Sequence, residues 1–300
     1  MLTEIHFLLT YTCNFECDHC FLYCSPRSRG TFRISQVSRV LEEAEKIGTV
    51  EWIFFEGGEP FLFFPLLVES VRRAGARGFK VGVVTNAYGA VSAEEAELWL
   101  RPLAEAGLTL LNLSNDAFHY GQEEENPAAV ALAAAGRLGL EVSPISIEPP
   151  EVTRPSPGEE DKGRAIIGGG ARFRGRAVDK LTGNLPLRPW EELAECPYED
   201  LESPSRVHVD ALGNVHLCQG LSLGNMATEP LSRLVAGYRP GPHPVCGPLW
   251  RGGPAELVRS TGLGPEAGYV DECHLCFSAR RMLLDRFPEL LAPRQVYGLD

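Results

Sequence analysis

Residues 5–20 read IHFLLTYTCNFECDHC, an apolar run that opens into three cysteines at a Cys-x3-Cys-x2-Cys spacing. A short apolar run bounded by polar residues is a buried strand. Cys13, Cys17 and Cys20 therefore sit on the loop at its C-terminal end. Three thiolates can hold three irons of a cubane iron–sulfur cluster and leave the fourth open. An open iron can bind and reduce a small molecule, whereas a fully ligated cluster only passes electrons. Zinc is the rival metal and would need a further ligand such as Cys24.

Strand-like and helix-like stretches alternate outward from this loop. Ile34, Val37, Leu41 and Ala44 recur at helical spacing and Gly48 stops them. EWIFF (51–55) is a strand, followed by Gly57-Gly58-Glu59-Pro60. Leu66, Leu67, Val71 and Ala74 mark a helix, and KVGVVT (80–85) is the next strand. Ser92-x-x-Glu95 is a capping box that opens a third helix. LTLLNLS (108–114) is a buried strand ending in Asn115-Asp116, Asn126-Pro127 begins an alanine-rich helix, and residues 141–147 form another strand. Repeated strand–helix units with apolar strands imply an α/β fold with a parallel sheet, a partial (β/α)6 barrel of the TIM type over residues 1–185. Ligands in such folds bind at the C-terminal strand ends. The cysteine loop, Gly57–Pro60, Thr85-Asn86 and Ser114-Asn115-Asp116 all lie there.

The texture then changes. Residues 149–162 are rich in Pro and charge and read as a loop, and a Gly/Arg stretch fills 163–177. RVHVDALGNVHLC (206–218) is a hairpin turning at Ala211–Asn214. A short helix is expected near 275–286, and no internal repeat is visible. Residues 186–300 are read as a second, small, loop-rich α+β domain. It holds Cys196, Cys218, Cys246, Cys273 and Cys276. Four such thiolates suit either a cluster or tetrahedral zinc, and chemistry alone leaves both open. His208 and His216 alternate with Val207, Val209, Val215 and Leu217 and read as exposed strand residues. Arg280 and Arg281 read as a solvated helix face.

Composition narrows the function classes. The chain has 300 residues, 44% hydrophobic and 23% charged, ordinary values for a globular protein. No apolar run is long enough to span a membrane and no secretory signal is evident, so a cytoplasmic location is expected. The net charge of −12 makes a nucleic-acid partner unlikely. Nine clustered cysteines favour metal ligation over a disulfide framework. Arg172, Arg174 and Arg176 stand out in an acidic chain. Any one could pair with a carboxylate in a bidentate contact, and Arg176 is the candidate for a cofactor carboxylate.

The cysteine triplet, with His19 before its last member, resembles the signature of the radical SAM superfamily, and Gly57-Gly58-Glu59-Pro60 matches that superfamily's GGEP motif. The resemblance implies a [4Fe-4S] cluster whose open iron binds S-adenosylmethionine. One electron then releases a 5′-deoxyadenosyl radical that abstracts a substrate hydrogen. It implies that the GGEP backbone lies against the methionine amino group. Thr85-Asn86 resembles the family's strand-end pair, and Ser114, Asn115 and Asp116 resemble a strand-end polar group facing the ribose. Cys24 is left as a spectator thiol.

Gly213-x4-Cys218, with Cys196 before it and Cys273-x2-Cys276 after it, resembles the twitch or SPASM auxiliary-cluster domains of these enzymes. No cysteine follows Cys276, so one auxiliary [4Fe-4S] cluster on Cys196, Cys218, Cys273 and Cys276 is implied. Cys246 is then either a hydrogen donor, as in radical SAM epimerases, or a structural thiol. The resemblance implies oxidation, epimerisation or cross-linking of a peptide or small metabolite, with a reducing partner such as flavodoxin or ferredoxin. Only twelve residues precede Cys13, so no leader-peptide-binding domain is expected ahead of it. The alternative is a non-catalytic iron–sulfur electron carrier or redox sensor.

Overall fold

Successive side chains of a strand point to opposite faces. In strand β1 (Glu4–Thr10), Ile5, Phe7 and Leu9 are fully buried on one face. Ile53 and Phe55 of β2 (Trp52–Gly57), Val81 and Val83 of β3 (Lys80–Thr85) and Leu111 and Leu113 of β4 (Leu110–Ser114) continue that face. The apolar stripes of helices α1 (Ile34–Ile47), α2 (Phe64–Gly75) and α3 (Ala93–Glu105) belong to the same core. Each fully buried Phe, Leu or Ile side chain contributes about 1.5–3 kcal/mol. The opposite face of β1 and β2 carries Glu4, His6, Phe54 and Glu56, and it becomes the floor of the site.

The computed structural model describes residues 1–121, 125–153 and 166–299. A short α4 (Ala117–Tyr120), α5 (Pro127–Arg137) and β5 (Glu141–Ile145) complete the strand–helix alternation. Asn126 caps α5 by accepting from the Ala129 N–H at 3.0 Å. Two-residue strands β6 (Val152–Thr153) and β7 (Ile166–Ile167) then pair with each other, so part of the expected loop is a narrow ribbon. Residues 154–162 of that loop and 163–165 of the Gly/Arg stretch lie outside the described residues. After α6 (Arg176–Leu181) comes β8 (Arg188–Pro189), followed by β9 (Arg206–Asp210), β10 (Asn214–Cys218) and β11 (Leu221–Asn225). Helices α7 (Leu231–Gly237) and α8 (Cys246–Thr261), strand β12 (Gly268–Tyr269) and α9 (Glu272–Met282) follow.

One eight-stranded sheet runs in the order β11-β10-β9-β1-β2-β3-β4-β5. The strands from β9 to β5 are parallel, and β10 and β11 are antiparallel additions. The expected hairpin is present, and Asp210 Oδ1 fixes its turn by accepting from the backbone N–H groups of Leu212 and Asn214 at 2.9 and 2.8 Å. Its position is new: β9 lies directly against β1, so the sheet does not break at residue 185.

This placement corrects three expectations. His208 is 5% exposed and His216 is 0% exposed, because β9 and β10 lie inside the sheet with both faces covered. Arg280 is 1% exposed, because the face of α9 that carries it turns toward the C-terminal cysteines rather than toward solvent.

Candidate active site

Strand β1 delivers Cys13 to the C-terminal end of the sheet, and the end of β2 closes against it. The N–H groups of Gly58 and Glu59 donate to the carbonyls of Thr10 and Thr12 at 2.7 and 2.9 Å. A Cβ on Gly57 would stand 2.4 Å from the Thr10 oxygen, and one on Gly58 only 2.2 Å from the Thr12 oxygen. Glycine is required at both positions by this close approach.

Glu59 is fully buried and ties three elements together. Its carboxylate accepts from Phe61 N–H at 2.9 Å, from Thr85 Oγ1 at 2.7 Å and from Asn86 N–H at 2.8 Å. Burial pushes its carboxyl up to about 7 against these donors. The Asn86 side chain donates to Asn14 Oδ1 at 2.9 Å, which joins the end of β3 to the cysteine loop. Pro60 starts a 3-10 turn and is buried beneath the motif.

These parts enclose a cavity of about 660 Å³ bounded by Cys13, Cys17 and Cys20, Gly57-Gly58, Thr85-Asn86 and Ser114, with His19 at its side. Asp116 caps α4 through Phe118 N–H at 3.0 Å and holds His119 Nδ1 at 2.8 Å. Its other oxygen is buried with no hydrogen-bond partner. Burial presses the Asp116 carboxyl upward, but the His119 contact outweighs it and keeps the group below the usual range. Asn115 Oδ1 accepts from Asn126 Nδ2 at 3.0 Å and serves the loop itself. His19 stacks on Phe118 with ring centroids 4.5 Å apart, and burial pushes its imidazole down to about 4.

Arg176, the residue expected to face a cofactor carboxylate, braces the cysteine loop. Its guanidinium donates to the carbonyls of Cys17 and Cys24 at 2.8 and 2.7 Å, and its backbone N–H donates to the Cys20 carbonyl. Gln295 holds the far side of the same loop, donating to the carbonyls of Leu22 and Tyr23 at 3.2 and 2.9 Å and to Ser28 Oγ at 3.1 Å. Burial raises Cys13 to about 12 and also raises Cys17. Cys20 is lowered to about 6, first by the Cys24 thiol and then by backbone N–H groups acting against burial.

The C-terminal cysteines assemble separately. Cys196, Cys218, Cys273 and Cys276 line one cavity of about 460 Å³ together with Arg174 and Arg280. Cys218 ends β10, and Cys273 and Cys276 sit near the start of α9. Arg174 donates to Cys218 Sγ at 3.0 Å and to Glu199 at 3.3 Å, while Arg172 stacks on Tyr198. Arg280 donates to the Gln219 carbonyl at 2.9 Å. Cys246 is fully buried at the start of α8, hydrogen-bonds Tyr238 and lines neither cysteine cavity.

Residues 7–123 match the family described as the Radical SAM superfamily. They form a radical SAM domain. Over 115 residues the chain is 32% identical to a tungsten-containing aldehyde ferredoxin oxidoreductase cofactor-modifying protein of Pyrococcus furiosus, covering 38% of this chain and 31% of that protein. Over 107 residues it is 25% identical to the putative peptide biosynthesis protein YydG of Bacillus subtilis, covering 36% and 34%. The chain therefore spans about a third of the length of each of these relatives. The crystal structure of BtrN in complex with AdoMet and 2-DOIA superposes with a TM-score of 0.52 over 78% of this chain and 82% of that one, at 18% identity. At that identity the likeness is one of fold.

The family match ends before the second cysteine set, which rests on its own geometry. Four thiolates flanked by two buried cations suit a cluster or a tetrahedral zinc ion alike. Among the described residues, three-donor groups within 4.8 Å of one another are His6/Glu56/His208 and His19/Asp116/His119. The solvated-face reading of Arg280 overlooked that it lies four residues after Cys276, which puts both on one side of α9. Glu56, His6 and Gln219 carried no motif signal.

Among the described residues, no helix is long and apolar enough to cross a membrane.

Proposed function

We propose that this chain is a radical SAM enzyme with a second, auxiliary iron–sulfur cluster, acting on a peptide or small metabolite by oxidation, epimerisation or cross-linking. The observation that carries the reading is the single cavity bounded by three free cysteines, the Gly57-Gly58 turn and Asn86. Bound there with a [4Fe-4S] cluster, S-adenosylmethionine supplies a 5′-deoxyadenosyl radical that takes hydrogen from a substrate.

The chain's own residues do the rest. Cys13, Cys17 and Cys20 hold three irons. Gly57 and Gly58 let the backbone approach, and Asp116 holds His119, which lines the cavity. Glu59 positions Thr85 and Asn86 and does not line the cavity itself. The open sheet is read as the partial barrel, and the polar face of β1, β2 and β9 as the floor beneath the substrate.

Cys196, Cys218, Cys273 and Cys276 are the proposed ligands of the auxiliary [4Fe-4S] cluster in a twitch-like segment of residues 186–300. Arg174 and Arg280 offset the negative charge of those thiolates. Cys246 is read as structural, because its thiol is buried against Tyr238 and lines neither cavity. The peptide-biosynthesis relative supports a peptide substrate, and the cofactor-modifying relative supports a small-molecule one. A flavodoxin or ferredoxin is the proposed reductant.

Anaerobic reconstitution with iron, sulfide, dithionite and S-adenosylmethionine tests the reading through 5′-deoxyadenosine. An intact, reducible cluster that forms none would favour the electron-carrier alternative. A Cys13/Cys17/Cys20 triple alanine variant should retain about four irons on the remaining thiolates.

A further inference from the structure

A second group of donors lies on the polar face of the sheet, outside the cysteine sets. His6 on β1 and His208 on β9 are register partners, and Glu56 on β2 stands two residues beyond Phe54, the other register partner of His6. Donor atoms of the three lie within 4.8 Å of one another. His6 Nδ1 is 3.4 Å from one Glu56 oxygen, and His208 Nε2 is 3.3 Å from the other. Charge-assisted hydrogen bonds are shorter, about 2.7–2.9 Å. Two donors held tetrahedrally at about 2.0–2.1 Å from one ion stand roughly 3.3–3.4 Å apart, the separation of each His–Glu56 pair taken singly; because the pairs use different Glu56 oxygens, one ion shared by all three takes both oxygens or a turn of the carboxylate.

The surroundings agree with that separation. His6 Nδ1, Glu56 Oε1, His208 Nδ1 and Gln219 Oε1 are buried without hydrogen-bond partners. The other nitrogen of His6 faces Glu4 Oε2 at 3.3 Å, the arrangement by which a carboxylate orients a metal-binding imidazole. Gln219 is 3% exposed and its amide nitrogen lies 3.3 Å from His208 Nε2. Rotating that amide exchanges nitrogen for the unpartnered oxygen.

We propose that His6, Glu56 and His208 form a site for one divalent transition ion, zinc or iron(II), with Gln219 beside it. Two histidines and one carboxylate are the donor set of catalytic zinc and non-haem iron(II) centres. Glu56 also lines the cavity of the N-terminal cysteines, so the site adjoins that cavity through this carboxylate. There the ion can act as a Lewis acid on an oxygen of a bound molecule. Without an ion, the same residues form a His6–Glu56 ion pair, and the metal must displace the His6 proton.

The test uses cluster-reconstituted, chelator-treated protein dialysed anaerobically against Zn²⁺ or Co²⁺. Wild type should take up one zinc per chain beyond its cluster iron. Glu56→Gln and His208→Gln should lose it, and Glu4→Gln should bind about 10–100-fold more weakly. Cobalt should give visible d–d bands without thiolate charge-transfer bands. No uptake above the clusters, equal uptake by wild type and Glu56→Gln, or a thiolate-type cobalt spectrum overturns the site. The wild-type spectrum decides even where a buried variant fails to fold. 5′-Deoxyadenosine formation is measured separately, so failure of this site and failure of the radical reading are distinguishable.

Discussion

Replacing Gly58 by alanine tests the contact on which the cavity depends. The new Cβ would lie 2.2 Å from the carbonyl oxygen of Thr12 and 2.6 Å from its carbonyl carbon. Both are backbone atoms, so no side-chain rotation relieves the overlap. Ordinary contact begins near 3.4 Å, and the ends of β1 and β2 must part by about 1 Å. That displacement strains or breaks the hydrogen bonds to Thr10 and Thr12. Overpacking costs about 1–3 kcal/mol and each lost hydrogen bond about 0.5–1.5 kcal/mol, so a total of about 2–6 kcal/mol is expected. Equilibrium urea unfolding of the metal-free protein reads the stability, and iron analysis after reconstitution reads the site. Gly58→Ala should be destabilised and should lose iron from the N-terminal thiolates while the C-terminal set keeps its own. Gly136→Ala is the control: nothing lies within 4 Å of its Cβ, and helix α5 should gain about 0.5–1 kcal/mol. If Gly58→Ala unfolds within about 0.5 kcal/mol of wild type, the range of ordinary surface changes, and binds full iron, the close-approach argument is refuted.

Three further predictions follow from groups around the two cavities. Arg176→Gln removes charged hydrogen bonds worth about 1.5–3 kcal/mol each, so chelators should strip iron from the N-terminal set faster while the C-terminal set is unaffected. Arg280→Met removes a buried cation beside Cys276, Cys218 and Cys273; in the triple alanine background, redox titration should show the remaining cluster reduced at a more negative potential. Burial alone would lower His6, but Glu56 and Glu4 outweigh it and hold the imidazole up at about 9. Because this folded pKa lies above the ordinary 6.5, the associated stability is full below pH 6.5 and is lost as pH rises through about 9. In chelated protein, Tm should therefore fall more steeply over that window in wild type than in His6→Gln.

Local patterns in the chain carried the parts of the fold that local physics decides. The run read at 51–55 overlaps β2 from Trp52 onward and that at 80–85 coincides with β3, Ser92 and Asn126 cap helices, and the turn at 211–214 closes a hairpin. The partnership of β9 with β1 was not legible, since the two are about 200 residues apart and no periodicity reports which strand a distant strand will join. The same blindness misassigned His208 and His216: alternation separates two faces but does not say that both are covered. Arg176 was singled out for its charge, yet its role as a brace depends on where the loop carbonyls of Cys17 and Cys24 come to point. The thiols were legible by spacing, while the cations and carboxylates around them are brought in by the sheet.

Gln295 reaches back across 273 residues to the carbonyl of Leu22. Translation therefore delivers the thiols of the first loop long before the side chains that steady it. While Gln295 is still inside the ribosome, Arg176 has already emerged, but Cys13, Cys17 and Cys20 sit on a peptide that still lacks its outer amide clasp. A cell that assembled the iron centre during synthesis would be loading an unfinished cradle. Loading of the first loop is accordingly expected to follow the emergence of Gln295, with the earliest cysteines made secured only after nearly 300 residues are synthesised.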